Sequence, residues 1–325
     1  MAIRVGVMSS AHMHAWGYAG GLKKNPEASL AGIWDPDAAR GDAFARQFGT
    51  ERFDAPDALF AVCDAVIITC ENKLHAEYVE LAAAAGKPIL CEKPLATSAE
   101  EWERMRTATE SAGVAFMTAF PCRYSPAFRR LRERVAAGEI GSIRAICATN
   151  RGRNPGGWFI QPELSGGGAM IDHVVHVTDL LRVLLGADPV SVQAFTGNNM
   201  YGQVWDDTAM LTLEFPGGVF ATLDSSWSRP ASYKTWGDVT MNVVGDKGVI
   251  ELNMFGQGFD HYVSDPRGIH LAGFGSDLDA GLVDDFLRCV RDGGTPPITG
   301  EDGWKASQVA LAGYESARTG ERVAV

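Results

Sequence analysis

The run Gly86-Lys87-Pro88-Ile89-Leu90-Cys91-Glu92-Lys93-Pro94 decides how the chain is read. Ile89 to Cys91 is apolar and of strand character, and it ends on two charges and a proline. Proline has no N–H and biases the preceding residue toward extended backbone, so the strand stops with Lys93 at its carboxyl end. Open parallel sheets bind ligands outside the carboxyl ends of their strands. A lysine fixed there can reach a substrate oxygen. Taken alone, Glu92-Lys93 reads equally well as a solvated ion pair closing a strand.

Outward from this run, residues up to about Phe120 alternate short apolar strands with helical stretches. Strands are predicted at Ile3–Met8, Leu30–Trp34, Ala65–Thr69, Ile89–Cys91 and Val114–Thr118. Helices are predicted at His14–Lys24, Asp37–Phe48, Leu74–Ala85 and Ala99–Ala112. Nearly all-apolar strands joined through helices mean a parallel sheet covered on both faces, an α/β doubly wound domain. We assign it residues 1–121.

In such a domain the first strand-to-helix turn receives a dinucleotide pyrophosphate on the helix N-terminus. Glycines are expected near positions 9, 11 and 14, where this chain has Ser9, Ala11 and His14. Ser9, Ser10 and Ala11 are small enough for a tight turn, but a Cβ crowds the approach to phosphate. His12 and His14 offer ring N–H donors instead. Asp35, at the end of the second strand, has the place of a carboxylate that binds adenosine ribose and repels a 2′-phosphate, which favours NAD over NADP. Asp35-Pro36-Asp37 also suits helix capping. After the next strand, Asn72 reads as an N-cap, and His75 follows in the first turn facing the same crevice.

Beyond Pro121 the pattern changes, and residues 122–325 are assigned to a second, α+β domain. A breaker-rich junction, Pro121-Cys122-Arg123-Tyr124-Ser125-Pro126, leads into a basic helical stretch and a strand near Ile143–Thr149. The loop Arg153-Asn154-Pro155-Gly156-Gly157-Trp158-Phe159 follows. Gly166-Gly167-Gly168 then opens the helix Ala169–Leu185, the glycines permitting close approach of a ligand or another backbone. On that helix Asp172 and His176 are four residues apart and share a face, whereas His173 should point elsewhere. A carboxylate beside an imidazole is a proton-transfer pair, and equally a satisfied core histidine. Strands near Val190–Phe195, Ala209–Phe215, Val219–Trp227, Val239–Val244 and Val249–Leu252 form a large, mainly antiparallel open sheet. An apolar outer face would be buried against a second copy, as homodimer or homotetramer. Phe255–Phe274 reads as irregular, and helices Leu278–Arg291 and Gly303–Thr319 finish the chain.

Composition narrows the function. The 325 residues are 46% hydrophobic and 21% charged, with a formal net charge of −11. That suits two soluble globular domains and excludes nucleic acid or an anionic membrane as main partner. No apolar run approaches the roughly 20 residues of a membrane helix. The opening Met1-Ala2-Ile3-Arg4-Val5-Gly6-Val7-Met8 reads as a strand rather than a signal peptide. Six scattered cysteines suit reduced thiols in a cytoplasm.

Together these residues resemble the glucose-fructose oxidoreductase / inositol dehydrogenase (Gfo/Idh/MocA) family. The resemblance rests on Asn72 and His75 leading to Glu92-Lys93-Pro94, on Gly166-Gly167-Gly168-Ala169-Met170-Ile171-Asp172 with His176, and on Thr299-Gly300-Glu301-Asp302-Gly303. It implies a Rossmann domain with cofactor contacts from the phosphate loop, Asp35, Asn72, His75, Glu92 and Lys93. It implies hydride transfer between a nicotinamide and the carbinol of a sugar, cyclitol or related polyol. Lys93 then steadies the substrate oxygen, His176 acts as general acid/base and Asp172 orients substrate. Arg123, Tyr124, Arg153, Asn154, Trp158 and Phe159, polar or aromatic on loops, are candidates for the substrate wall. The chain departs from the family in the missing glycines and in Cys70-Glu71, where Thr-Pro is usual. The same scaffold also serves relatives that use NAD without net redox, in glycoside cleavage or epimerisation, and nucleotide- or sugar-sensing regulators. A metal held by His12, His14, His173 and His176 is the least favoured reading, and no metal is assigned.

Overall fold

The computed structural model describes residues 2–256, 258–262, 269–273 and 276–325. It divides into two compact units, and the chain visits the first three times: Met1–Pro121, Glu163–Gly166 and Asp277–Trp304. The second holds Cys122–Pro162, Gly167–Ser276 and Lys305–Val325. The segment 277–304 belongs with the first unit because its helix packs on that unit's first helix and first strand.

The first unit carries β1 (Ile3–Met8), α1 (His14–Lys24), β2 (Ala28–Trp34), α2 (Ala38–Phe48), β3 (Arg52–Phe53), α3 (Pro56–Val62), β4 (Ala65–Ile68), α4 (His75–Ala84), β5 (Ile89–Cys91), α5 (Ala99–Ala112) and β6 (Phe116–Thr118). The six strands lie in the order β3-β2-β1-β4-β5-β6, all pairs parallel. Strand order therefore reverses at the β1/β4 neighbours, the switch point where such sheets bind ligands. Val5, Val7, Ile67, Ile68, Ile89 and Leu90 are fully buried, as strands covered on both faces require. β3 and α3 are absent from the sequence prediction, being too short to show a period.

The second unit opens with α6 (Pro126–Ala136) and β7 (Ile143–Thr149). A one-turn helix α7 (Pro162–Ser165) leads back through the first unit to α8 (Ala169–Leu185). There follow β8 (Ser191–Gly197), β9 (Thr208–Glu214), β10 (Phe220–Asp224), β11 (Thr240–Gly245), β12 (Val249–Asn253), β13 (Gly258–Tyr262) and β14 (Ile269–Gly273). The chain closes on α9 (Leu278–Asp292), α10 (Gly300–Thr319) and β15 (Val323–Ala324), α9 being the helix of the first unit noted above. The large sheet runs β12-β11-β7-β10-β9-β8-β15, antiparallel except for the β7/β10 pair. Ile146, Ala148, Leu211, Leu213, Ala221, Leu223, Met241 and Val243 form its buried face. Phe255–Phe274, read from sequence as irregular, contains the antiparallel pair β13/β14. Residues 257, 263–268 and 274 of that stretch lie outside the described residues.

Candidate active site

Lys93 stands just past β5, only 4% exposed. Its backbone N–H donates to Glu92 Oε2 at 3.1 Å, and the Lys93–Pro94 peptide is cis. His75 fixes the far side of this turn. Its Nδ1 lies 3.0 Å from the carbonyl of Pro94 and 3.2 Å from that of Leu95. Carbonyls only accept, so Nδ1 carries the proton, and burial lowers the ring's pKa so that it stays neutral. Asn72, read as an N-cap, instead donates its Nδ2 to the Ser165 carbonyl at 2.8 Å, tying β4's end to the returning segment 163–166.

Glu92 is buried completely, yet it is a carboxylate. Tyr18 Oη donates to its Oε1 at 2.5 Å and His14 Nδ1 lies 2.9 Å from the same oxygen. Burial alone pushes the Glu92 carboxyl up, but the side chains of His12, His14 and Lys93 around it hold it well below the usual range. His14 responds in kind: burial lowers it, and Glu92 outweighs burial to raise it. His12, His14 and Glu92 bring ligand atoms within 4.8 Å, close enough to suggest a metal. However, His12 Nδ1 accepts from the His14 backbone N–H at 3.2 Å. That places the His12 proton on Nε2, which lies 3.9 Å from Glu92 Oε2, too far for a hydrogen bond, and leaves it no lone pair for a metal. The cluster is a hydrogen-bond network around a buried anion.

The first strand-to-helix turn keeps its shape without glycines. Ser9 takes the left-handed conformation, φ 70°, that glycine would occupy. Its Oγ accepts from Ala11 N and from Arg40 Nη2, each at 3.2 Å, and its carbonyl accepts from Thr69 Oγ1 at 2.6 Å. Asp35 lies beneath this turn, buried. It accepts from Ser10 N (2.8 Å), Ser10 Oγ (3.2 Å), Asp37 N (3.0 Å), Arg40 Nε (2.9 Å) and Arg40 Nη2 (2.8 Å). Capping of α2 falls to Asp37, whose side chain accepts from Arg40 N. Arg40, which the sequence reading passed over, is the residue that occupies Asp35.

In the second unit, α8 begins at the glycine run. A side chain at Gly168 would collide with the Asp206 backbone, and one at Gly167 with the Tyr314 hydroxyl. The glycines therefore admit other parts of the protein. Asp206 caps the helix, accepting from Gly168 N (3.0 Å), Met170 N (2.7 Å) and Tyr314 Oη (2.8 Å). Asp172 Oδ2 receives Trp227 Nε1 at 3.2 Å. His173 does not point away: its Nε2 is 3.2 Å from Asp172 Oδ2, because Asn150's carbonyl anchors its Nδ1 at 2.8 Å. A side chain at Gly152 would strike the His173 ring, so the ring is clamped. His176 sits one turn on from Asp172 along α8, partly buried.

The substrate-wall candidates fall into two groups. Arg123 forms a two-bond ion pair with the fully buried Asp179, Nε to Oδ2 at 2.7 Å and Nη2 to Oδ1 at 2.5 Å, so its guanidinium is committed to the fold. Tyr124 is buried with the Arg129 guanidinium over its ring. Arg153 donates to the Tyr233 carbonyl, Asn154 accepts from Gly156 N at 2.8 Å, and Trp158 stacks on Phe159. Arg153, Asn154 and Trp158 are partly exposed.

A six-stranded parallel sheet with a phosphate-type turn at its switch point, joined to a mixed-sheet unit, defines the two-domain class of dinucleotide-dependent oxidoreductases. Residues 3–120 match the model of the oxidoreductase family with NAD-binding Rossmann fold, and residues 128–251 that of the GFO/IDH/MocA C-terminal domain. The chain is 31% identical to scyllo-inositol 2-dehydrogenase (NAD(+)) of Bacillus subtilis over 91% of its length and 88% of the relative's. It is 32% identical to D-xylose 1-dehydrogenase (NADP(+)) 2 of Haloferax volcanii over 91% and 92%. The chain belongs to the GFO/IDH/MocA family of NAD(P)-dependent oxidoreductases. Among solved structures, GenD2 from gentamicin A biosynthesis in complex with NAD superposes with a TM-score of 0.91, at 24% identity, over 100% of this chain and 96% of that one. Myo-inositol 2-dehydrogenase from Lactobacillus plantarum gives 0.85 at 24% identity, covering 100% of both. At that identity the two structures speak to the fold. Among the described residues no helix is long and apolar enough to cross a membrane.

Proposed function

We propose that the chain is an NAD-dependent dehydrogenase acting on the CH–OH group of a sugar, cyclitol or related polyol. The observation that carries this is Lys93, a buried cation presented at the end of a parallel strand on a turn fixed by Glu92 and His75. Oxidising a carbinol needs a cation for the developing alkoxide and a base for the hydroxyl proton. Lys93 takes the first role and His176 the second. Asp172 orients the substrate, itself oriented through Oδ2 by Trp227 and His173. The nicotinamide, when bound, accepts or returns the hydride. Ser9, Ser10, Ala11, His12 and His14 line the turn that would take its pyrophosphate, and the glycine-like backbone of Ser9 fits that role.

Arg153, Asn154 and Trp158 are the substrate-wall residues we retain. Phe195 (69% exposed) and Met210 (58%) are register partners on the outer face of the large sheet, and a second copy of the chain would cover them in a homo-oligomer. The buried thiols of Cys63, Cys70, Cys91, Cys122 and Cys289 suit a reducing cytoplasm.

The test is turnover of Lys93→Ala and His176→Ala against a panel of polyols and sugars with NAD. Each variant should lose about 10²-fold or more while melting like the parent. Near-normal turnover in either would refute its assignment.

A further inference from the structure

Asp35 has the sequence position of the ribose-binding carboxylate, but its two oxygens are already taken by Ser10, Asp37 and Arg40. The carboxylate with capacity left is Glu71. It stands just past β4, at the switch point beside β1, and is 8% exposed. Its Oε1 receives one long contact, 3.4 Å from Arg40 Nη1. Among the described residues, its Oε2 is buried without a hydrogen-bond partner. Buried polar atoms are almost always satisfied, and an orphaned carboxylate oxygen is costly, so a missing donor is the physical expectation.

Resting on the dinucleotide reading above, we propose that Glu71 is the cofactor-specificity residue, accepting a hydrogen bond from an adenosine-ribose hydroxyl of NAD(H). Arg40 bridges Asp35 and Glu71 and holds the second carboxylate in place. Its guanidinium is thereby spent, with Nε and Nη2 on Asp35, Nη2 also on Ser9 Oγ, and Nη1 on Glu71. Arg40 would otherwise be the natural ligand for a 2′-phosphate. Asp35, Asp37 and Glu71 around a single arginine leave the spot formally negative, so a 2′-phosphate is refused.

The test is fluorescence titration of the whole chain with NADH and with NADPH, in the parent, Glu71→Gln and Asp35→Asn. Replacing a charged acceptor with a neutral amide oxygen predicts about tenfold weaker NADH binding in Glu71→Gln. NADPH binding should strengthen in the same variant, because one repulsive charge is gone and Arg40 is released. Asp35→Asn should lower the melting temperature and change the NADH-to-NADPH ratio less than Glu71→Gln does. Equal weakening of both nucleotides in Glu71→Gln would mark a structural role and overturn the proposal. So would an unchanged ratio there with a collapsed one in Asp35→Asn. A parent that binds neither nucleotide would overturn the dehydrogenase reading itself, and this assignment with it.

Discussion

Tyr18 Oη donates to Glu92 Oε1 at 2.5 Å, joining the middle of α1 to the residue that precedes Lys93. The two groups are 74 positions apart in sequence, and both are buried. A wholly buried carboxylate persists only when donors surround it. Tyr18→Phe removes one donor and leaves the anion in place. A hydrogen bond to a charged group contributes about 1.5–3 kcal/mol. The variant should lose stability of that order in a denaturant titration, and turnover should fall because the Lys93 turn rests on Glu92. A change below about 0.5 kcal/mol would mean that His14 and the Lys93 backbone suffice.

The same anion sets a pH dependence. The Glu92 pKa is lower in the folded chain than in the unfolded one, so its contribution is fully present above about pH 4.3 and is lost as pH falls through the folded value. The His14 pKa is higher when folded, so its contribution is fully present below about pH 6.5 and is lost as pH rises through the folded value. The pair therefore stabilises most between these limits. Melting temperatures measured from pH 5 to 9 should decline on the alkaline side in the parent and decline less in His14→Asn. Parallel curves would show that His14 contributes no such linkage.

The parts of this site that were legible in the sequence are those written locally. Lys93 is placed by a short apolar strand and the proline after it, and α8 by its glycine run and apolar period. What was hidden depends on partners far along the chain. Taken alone, Glu92 reads equally well as a site residue or a surface charge until Tyr18 and His14, 74 and 78 residues away, close over it. Asp35 reads as an available carboxylate until Arg40 folds back on it, five residues on. His173 reads as facing away from Asp172, since neighbours on a helix diverge. The Asn150 carbonyl, 23 residues earlier, turns its ring back.

Ser9 shows what the lost glycine costs. An L-residue in the left-handed region is strained by about 1–2 kcal/mol, and here the Oγ bonds to Ala11 N and Arg40 offset part of it. Ser9→Ala keeps the strain and loses the bonds. Ser9→Gly loses the bonds and the strain together. Ser9→Gly should therefore be the more stable of the two by about 1 kcal/mol, less the greater chain entropy that glycine surrenders. Chemical denaturation of the two variants checks the ordering. The reverse order would mean that Ser9 is not held in that region.

Arg123 separates a structural role from a substrate role. Its guanidinium meets Asp179, which is fully buried, through two short bonds. Arg123→Ala strands that carboxylate, and breaking one side of a buried pair costs about 3–5 kcal/mol. Replacing both partners with apolar residues, Arg123→Met together with Asp179→Leu, removes the stranded charge. Such exchanges are often neutral or stabilising. The double variant should recover most of the lost stability and, if the arginine serves only the fold, retain the parent's KM for whichever polyol proves to be turned over. A double variant that folds like the parent but shows a KM raised tenfold or more would return Arg123 to the substrate wall. Urea midpoints and initial-rate kinetics on the three proteins decide between the two.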